Sequence, residues 1–136
     1  MRRGHEEMLR LCDALESVAD ALPANLDQLH CLALAESLEP LVDVCQRYEE
    51  HCVFPCYLEA SGRQDVVDRL RREHIEDAGA AHELAEVLRE VGKGNGIENC
   101  EALGYMLRAF FGAVRRHVAF EHDHVRPLIG TNLGNR

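Results

Sequence analysis

The sequence predicts an all-α protein, an antiparallel up-down-up-down four-helix bundle. Apolar residues recur at spacings of three and four through four stretches. Three short breaks separate them, "LPAN" at 22–25, "ASGRQD" at 60–65 and "GKGNG" at 92–96, and such connections favour antiparallel neighbours. With 46% apolar residues, no Trp and few aromatics, Leu, Ala and Val must build the core, as helix-on-helix packing prefers.

The first helix is expected over 3–22, where His5 lies in line with Leu9, Cys12, Leu15, Ala19 and Leu22. The second is expected over 26–60, with Asn25 and Gln28 spaced as a capping box. Pro40 and Pro55 should each bend it, because each lacks a backbone donor. Its stripe runs Leu38, Val42, Cys45, Cys52, Val53 and Cys56, with Glu49 near the centre and Glu50 toward the edge.

The third helix, 65–91, has Asp65 as its expected cap and a stripe of Leu70, Ala78, Ala81, Ala85 and Leu88 into which His74 falls. The fourth, 99–126, is capped by Asn99; Leu103, Leu107, Phe110 and Val114 lead to His117 and Glu121, one turn apart. His124 falls on the same face, and His122 projects away. No repeat or low-complexity segment is evident, and we expect one domain over residues 1–130 with a flexible tail over 131–136.

Composition also excludes. A formal charge of −9 with scattered Arg residues leaves no basic face for nucleic acid. There is no apolar run of membrane-spanning length, and "MRRGHEEMLR" lacks a signal core, so a cytoplasmic location is expected. The six cysteines sit at helical positions and read as free thiols acting as small hydrophobes, Cys52 and Cys56 included. His30, His51 and His82 are expected on solvated faces, as are the charges of "RLRREHIED" and "EVLREVGK".

The polar residues on the core faces share one level. Counted from the opposite bundle end, His5 stands 17 residues from Leu22, His74 17 from Val91 and His117 17 from Cys100; Glu49 stands 23 from Leu26, with Cys45 at 19. Four helices thus aim three imidazoles and two carboxylates at one spot. Buried carboxylates need compensating positive charge, and no Lys or Arg lies on these stripes, so a bound metal cation is the expected partner. Mixed His and carboxylate donors suit iron or manganese. Zinc is the runner-up, since its structural sites favour close cysteine pairs and the chain has no CxxC.

The stretches "GHEEMLRLCDAL", "CQRYEEHCVFP", "REHIEDAGAAHEL" and "RRHVAFEHDHVRPL", in this order, resemble the hemerythrin-like, HHE cation-binding domain over His5 to Leu128. The resemblance implies a dinuclear non-haem iron centre, with Glu49 and Glu121 matching the bridging acids and His5, His74 and His117 the terminal ligands. It implies a module that binds or senses oxygen, nitric oxide, peroxide or iron, with a small diatomic or peroxide as partner at the metal. A protein partner or homodimer is a further expectation. Alternatives are a di-iron oxidase or peroxidase-like enzyme and a metal-free helical interaction module. Two positions depart from the family pattern: Cys45 replaces the His of the helix-two motif, and Ala78 the second His of helix three. Cys45, Gln46, Asp77, His124 or water are the candidates to fill that gap.

Overall fold

A computed structural model describes residues 2–130; the expected tail over 131–136 lies outside the described residues. The elements are α1 (Arg2–Ala21), α2 (Gln28–Tyr48), a first π segment (Glu49–Val53), α3 (Phe54–Ser61), α4 (Gln64–Gly92), α5 (Cys100–Phe120), a second π segment (Glu121–Val125) and α6 (Arg126–Ile129). They form four rods, because each π segment joins its flanking helices without a turn. The rods make an antiparallel bundle in which α2 packs chiefly on α4 and α1 on α5, while α3 meets α6.

Helix boundaries follow local chemistry, with two corrections. Asp27, not Asn25, caps α2: its carboxylate accepts from the His30 amide at 3.2 Å. Leu26 just before it packs against the core, so the apolar residue fixes where the chain enters the helix. Asp65 does not cap α4. Gly62, at φ +67°, ends α3 in the left-handed conformation that glycine adopts without penalty, and α4 starts after Arg63 alone. Asp65 therefore lies inside the first turn, where its charge suits the helix dipole and both its oxygens accept from Arg63 at 2.9 Å. Asn99 caps α5 as expected, accepting from the Ala102 amide at 2.9 Å.

The two π segments correspond closely. Each begins at a glutamate, Glu49 or Glu121, whose carbonyl accepts from the amide five residues on, Phe54 or Arg126. Each is followed by a proline, Pro55 or Pro127, at the start of the next helix. Against the expectation of no repeat, the sequence carries a short one, Glu-xxx-Val-x-Pro, in "EEHCVFP" and "EHDHVRP". Proline cannot donate to the carbonyl four residues back and clashes with it. The wider turn takes up that conflict.

The widened turn also changes which side chains face inward. With more residues per revolution, the residue four on stands almost directly over the glutamate, and the residue three on swings away. Val53 and Val125 are fully buried, whereas Cys52 is half-buried and His124 exposed. His124 stacks on Phe120 with ring centroids 4.9 Å apart. Its expected place on the core face is therefore wrong.

Two further stripe members are corrected. Leu9 is 37% exposed, and Met8 and Leu11 face the core in its place. Ala78 is exposed, and the half-buried Asp77 is the residue of that turn nearer the interior. All six cysteines are free thiols. At the far end, Gly92 allows α4 to pass so close to α2 that a Cβ there would lie 2.8 Å from Leu32 Cα. No described helix is long and apolar enough to cross a membrane.

The apolar interior is split in two. A long cluster including Leu15, Leu38, Leu88, Leu107, Val42 and Val114 fills most of the bundle. A shorter one, with Val53, Phe54, Leu70 and Val125, closes the end where the π segments lie. Glu49, His74, His117 and Glu121, the buried polar and charged residues of the described chain, occupy the level between them.

Candidate metal centre

The glutamates that open the π segments face each other across this level, with His74 from α4, His117 from α5 and His5 from α1 around them. Glu49 is central. Its Oε1 lies 2.8 Å from His74 Nε2 and 3.3 Å from His117 Nε2, and its Oε2 lies 3.5 Å from His5 Nε2. Glu121 Oε1 is 2.9 Å from His117 Nε2 and 3.3 Å from His5 Nε2. Two triads that could each hold a metal ion result, Glu49–His74–His117 and His5–Glu49–Glu121, and they share Glu49.

Outer partners orient two of the imidazoles. His74 Nδ1 donates to Glu50 Oε2 at 2.8 Å, and His117 Nδ1 donates to Glu73 Oε1 at 2.9 Å. Glu73 in turn accepts from Arg69 through its other oxygen at 3.1 Å. An ionised carboxylate can only accept, so each Nδ1 carries its proton and each Nε2 is left for the centre. Phe54 stacks on His74, ring centroids 5.1 Å apart, and holds the plane of that ring.

Helical periodicity does not find these roles: it puts Glu50 toward the edge of its stripe and Glu73 on an exposed face. The signal that could find them is adjacency. Glu50 directly follows Glu49, and Glu73 directly precedes His74.

Electrostatics show how much negative charge is gathered here. Burial alone would push the imidazolium pKa values down, but Glu121 and Glu49 outweigh it and hold His117 up at about 11 and His5 at about 9. His74 is also raised, by Glu49 and Glu50 against the same burial. Burial would raise Glu49, but its contacts with the three histidines hold it well below the usual carboxylate range. Glu121 goes the other way: burial and the neighbouring Glu49 charge push it up despite His117 and His5.

The other candidates differ in their ties. Cys45 Sγ donates to the Gly4 carbonyl at 3.8 Å, and burial, then Glu49, push its thiol up to about 11. Gln46 donates to the His74 carbonyl at 2.8 Å, bracing α2 against α4. Asp77 borders the cavity, its carboxyl raised by burial. His122 is exposed, as expected from its phase, and so are His30, His51 and His82.

The residues enclose a cavity of about 40 Å³, bordered by His5, Cys45, Gln46, Glu49, His74, Asp77, His117 and Glu121. That is room for an ion or a few water-sized groups. His5 Nε2 and both Glu121 oxygens are buried there without a hydrogen-bond partner among the described residues, although His5 and His117 nitrogens stand close to Glu121. Close approach with poor mutual alignment is what donor atoms aimed at a common third point produce. Among the described residues, no Lys or Arg lines the cavity. Imidazole nitrogens and carboxylate oxygens converging on one buried cavity fit a divalent or trivalent cation.

In comparisons with known proteins, no curated protein and no solved structure matches the chain. A family model does match, that of the hemerythrin HHE cation binding domain, over residues 1–129. A match of that extent, over a helical bundle with His and Glu converging at one level, means that the chain belongs to the hemerythrin HHE cation-binding domain family.

Proposed function

We propose that the protein is a non-haem iron-binding module in which His5, Glu49, His74, His117 and Glu121 hold a dinuclear centre, and that it responds to oxygen, nitric oxide, peroxide or iron. The observation that carries this reading is Glu49: one buried carboxylate with an oxygen toward each of two His-containing triads. Iron supplies redox chemistry and a coordination position for a small ligand.

The chain supplies the rest. Glu49 and Glu121 provide charge without a fixed cation of their own. His74 and His117 give up the Nε2 proton while their Nδ1 protons stay with Glu50 and Glu73. The two apolar clusters keep water from above and below. A surface depression of about 270 Å³ between α1 and α2 borders the same His5, Cys45 and Glu49, and its size suits a small molecule better than a polymer.

Protein purified anaerobically without chelator is expected to contain, or to take up, about one to two equivalents of iron, the occupancy that bundle-core carboxylate sites allow. Elemental analysis with a visible absorption spectrum checks it. No transition metal together with no uptake of ferrous ion would falsify the reading and leave a metal-free helical module. Sustained turnover with a reductant and oxygen or peroxide would instead assign an oxidase or peroxidase-like enzyme.

A further inference from the structure

The two triads that share Glu49 are not equivalent, and the difference lies outside the ligand atoms. In Glu49–His74–His117 both imidazoles are held from behind, by Glu50 and by Glu73 at 2.8 and 2.9 Å. Glu73 is itself held by Arg69 at 3.1 Å, whose guanidinium lies over the Phe120 ring, 4.3 Å from its centroid. In His5–Glu49–Glu121, no hydrogen bond to His5 Nδ1 is found among the described residues. The nearby ties of that helix turn are weaker: Cys45 Sγ reaches only the Gly4 carbonyl, at 3.8 Å.

We propose that Glu50 and Glu73 are positioning residues that preorganise His74 and His117, so that the Glu49–His74–His117 triad is the tighter position and fills first, and the His5–Glu49–Glu121 triad fills second. This rests on the metal-binding reading above. The physical reason is the cost of ordering. A ligand whose tautomer and ring plane are already set loses little freedom when it binds and donates a more basic nitrogen, and removing such a carboxylate typically costs about 10- to 100-fold in metal affinity. His5 must be ordered by the metal itself.

Glu50 and Glu73 are suited to a test because their side chains are 41% and 31% exposed, so changing them leaves the apolar clusters intact. Chelator-stripped protein is titrated anaerobically with cobalt(II), followed by its ligand-field absorption, and separately with ferrous ion. The expected wild-type result is two steps of unequal affinity. Glu73→Ala weakens the first step by about 10- to 100-fold. Glu73→Gln restores most of the loss, because the amide oxygen still accepts from Nδ1. Glu50→Ala and Glu50→Gln repeat the pattern at His74. His5→Ala removes the second step and leaves the first.

Rescue by Gln and the selective loss of one step distinguish positioning from a general loss of fold, which would weaken both steps together. Two equal steps, an unchanged first step in both Ala variants, or loss of both steps in His5→Ala overturns the inference while leaving metal binding in place. Uptake of neither metal overturns the metal-binding reading itself.

Discussion

Glu49 and Glu121 are the same residue in the same kind of turn, yet their neighbours push them in opposite directions, one well below and one above the usual carboxylate range. Glu121 is fully buried, and neither of its oxygens has a hydrogen-bond partner among the described residues. A cation in the His5–Glu49–Glu121 triad would supply the partner that those oxygens lack. Glu121→Ala and His117→Ala are expected to lower iron content and to lower the melting temperature of iron-loaded protein, since a bound ion stabilises the fold by mass action. His122→Ala, on the exposed side, should change neither; equal iron loss from His122→Ala and His117→Ala would contradict the placement of the α5 face. Cys45 is a separate case. With no metal bound, its raised thiol pKa and its bond to the Gly4 carbonyl favour the protonated thiol. Cys45→Ser should leave the visible spectrum and metal content of the ferric protein unchanged, and loss of a charge-transfer band in that variant would instead assign sulfur to the iron. Cys45→His should tighten binding, because the position borders the cavity.

At the scale of the helix, three prolines sit in helical rods under different conditions. Pro40 lies inside α2, whereas Pro55 and Pro127 open new helices directly after π segments. An interior proline is about 3 kcal/mol less favourable than alanine, but directly after a π segment the widened turn already takes up the conflict with the carbonyl behind it. Pro40→Ala is therefore expected to raise stability, by up to about 3 kcal/mol. Pro55→Ala and Pro127→Ala, where the backbone already accommodates the ring, should shift it by less than about 1 kcal/mol. Denaturant titration of the three variants checks the contrast. A gain at Pro127 as large as at Pro40 would mean that the second π segment does not relieve the proline.

For the molecule as a whole, the proposed centre predicts that protons and metal compete for the same nitrogens. In the metal-free protein His5 and His117 have pKa values of about 9 and 11, against an ordinary value of 6.5. A group raised in the folded state contributes stability that is fully present below its unfolded value and is lost as pH rises through the folded one. Chelator-stripped protein should accordingly lose stability from about pH 7 upward, by about 1.4 kcal/mol per pH unit for each extra proton the folded state keeps, until about pH 9 for His5 and about pH 11 for His117. Glu49, lowered on folding, acts at the other end: its contribution is present above 4.5 and is lost on acidification. Iron-loaded protein should be flatter over the alkaline window, because the cation replaces those protons. Melting temperatures measured across pH with and without iron decide this; parallel curves would show that the histidine protons and the metal do not share a site.

Much of this protein is legible in the linear chain. Helical periodicity and three short breaks are local properties, so four rods, the inward phase of Glu49, His74, His117 and Glu121, and their common level follow from the order of residues alone. The Asn99 cap is equally local. What is not legible depends on contacts between rods or on how a rod departs from ideal geometry. A π turn is set by a proline's conflict with the carbonyl behind it and by what the widened turn can bury, so Val125 faces inward and His124 outward against simple α-helical phase. Asp27 rather than Asn25 begins α2 because the core receives Leu26. Glu50 and Glu73 are ordinary helix-surface acids in one dimension and become partners of His74 and His117 only when α2, α4 and α5 stand side by side. Periodicity gives the direction in which a side chain leaves its helix; which atom it meets is set by the packing of the other three.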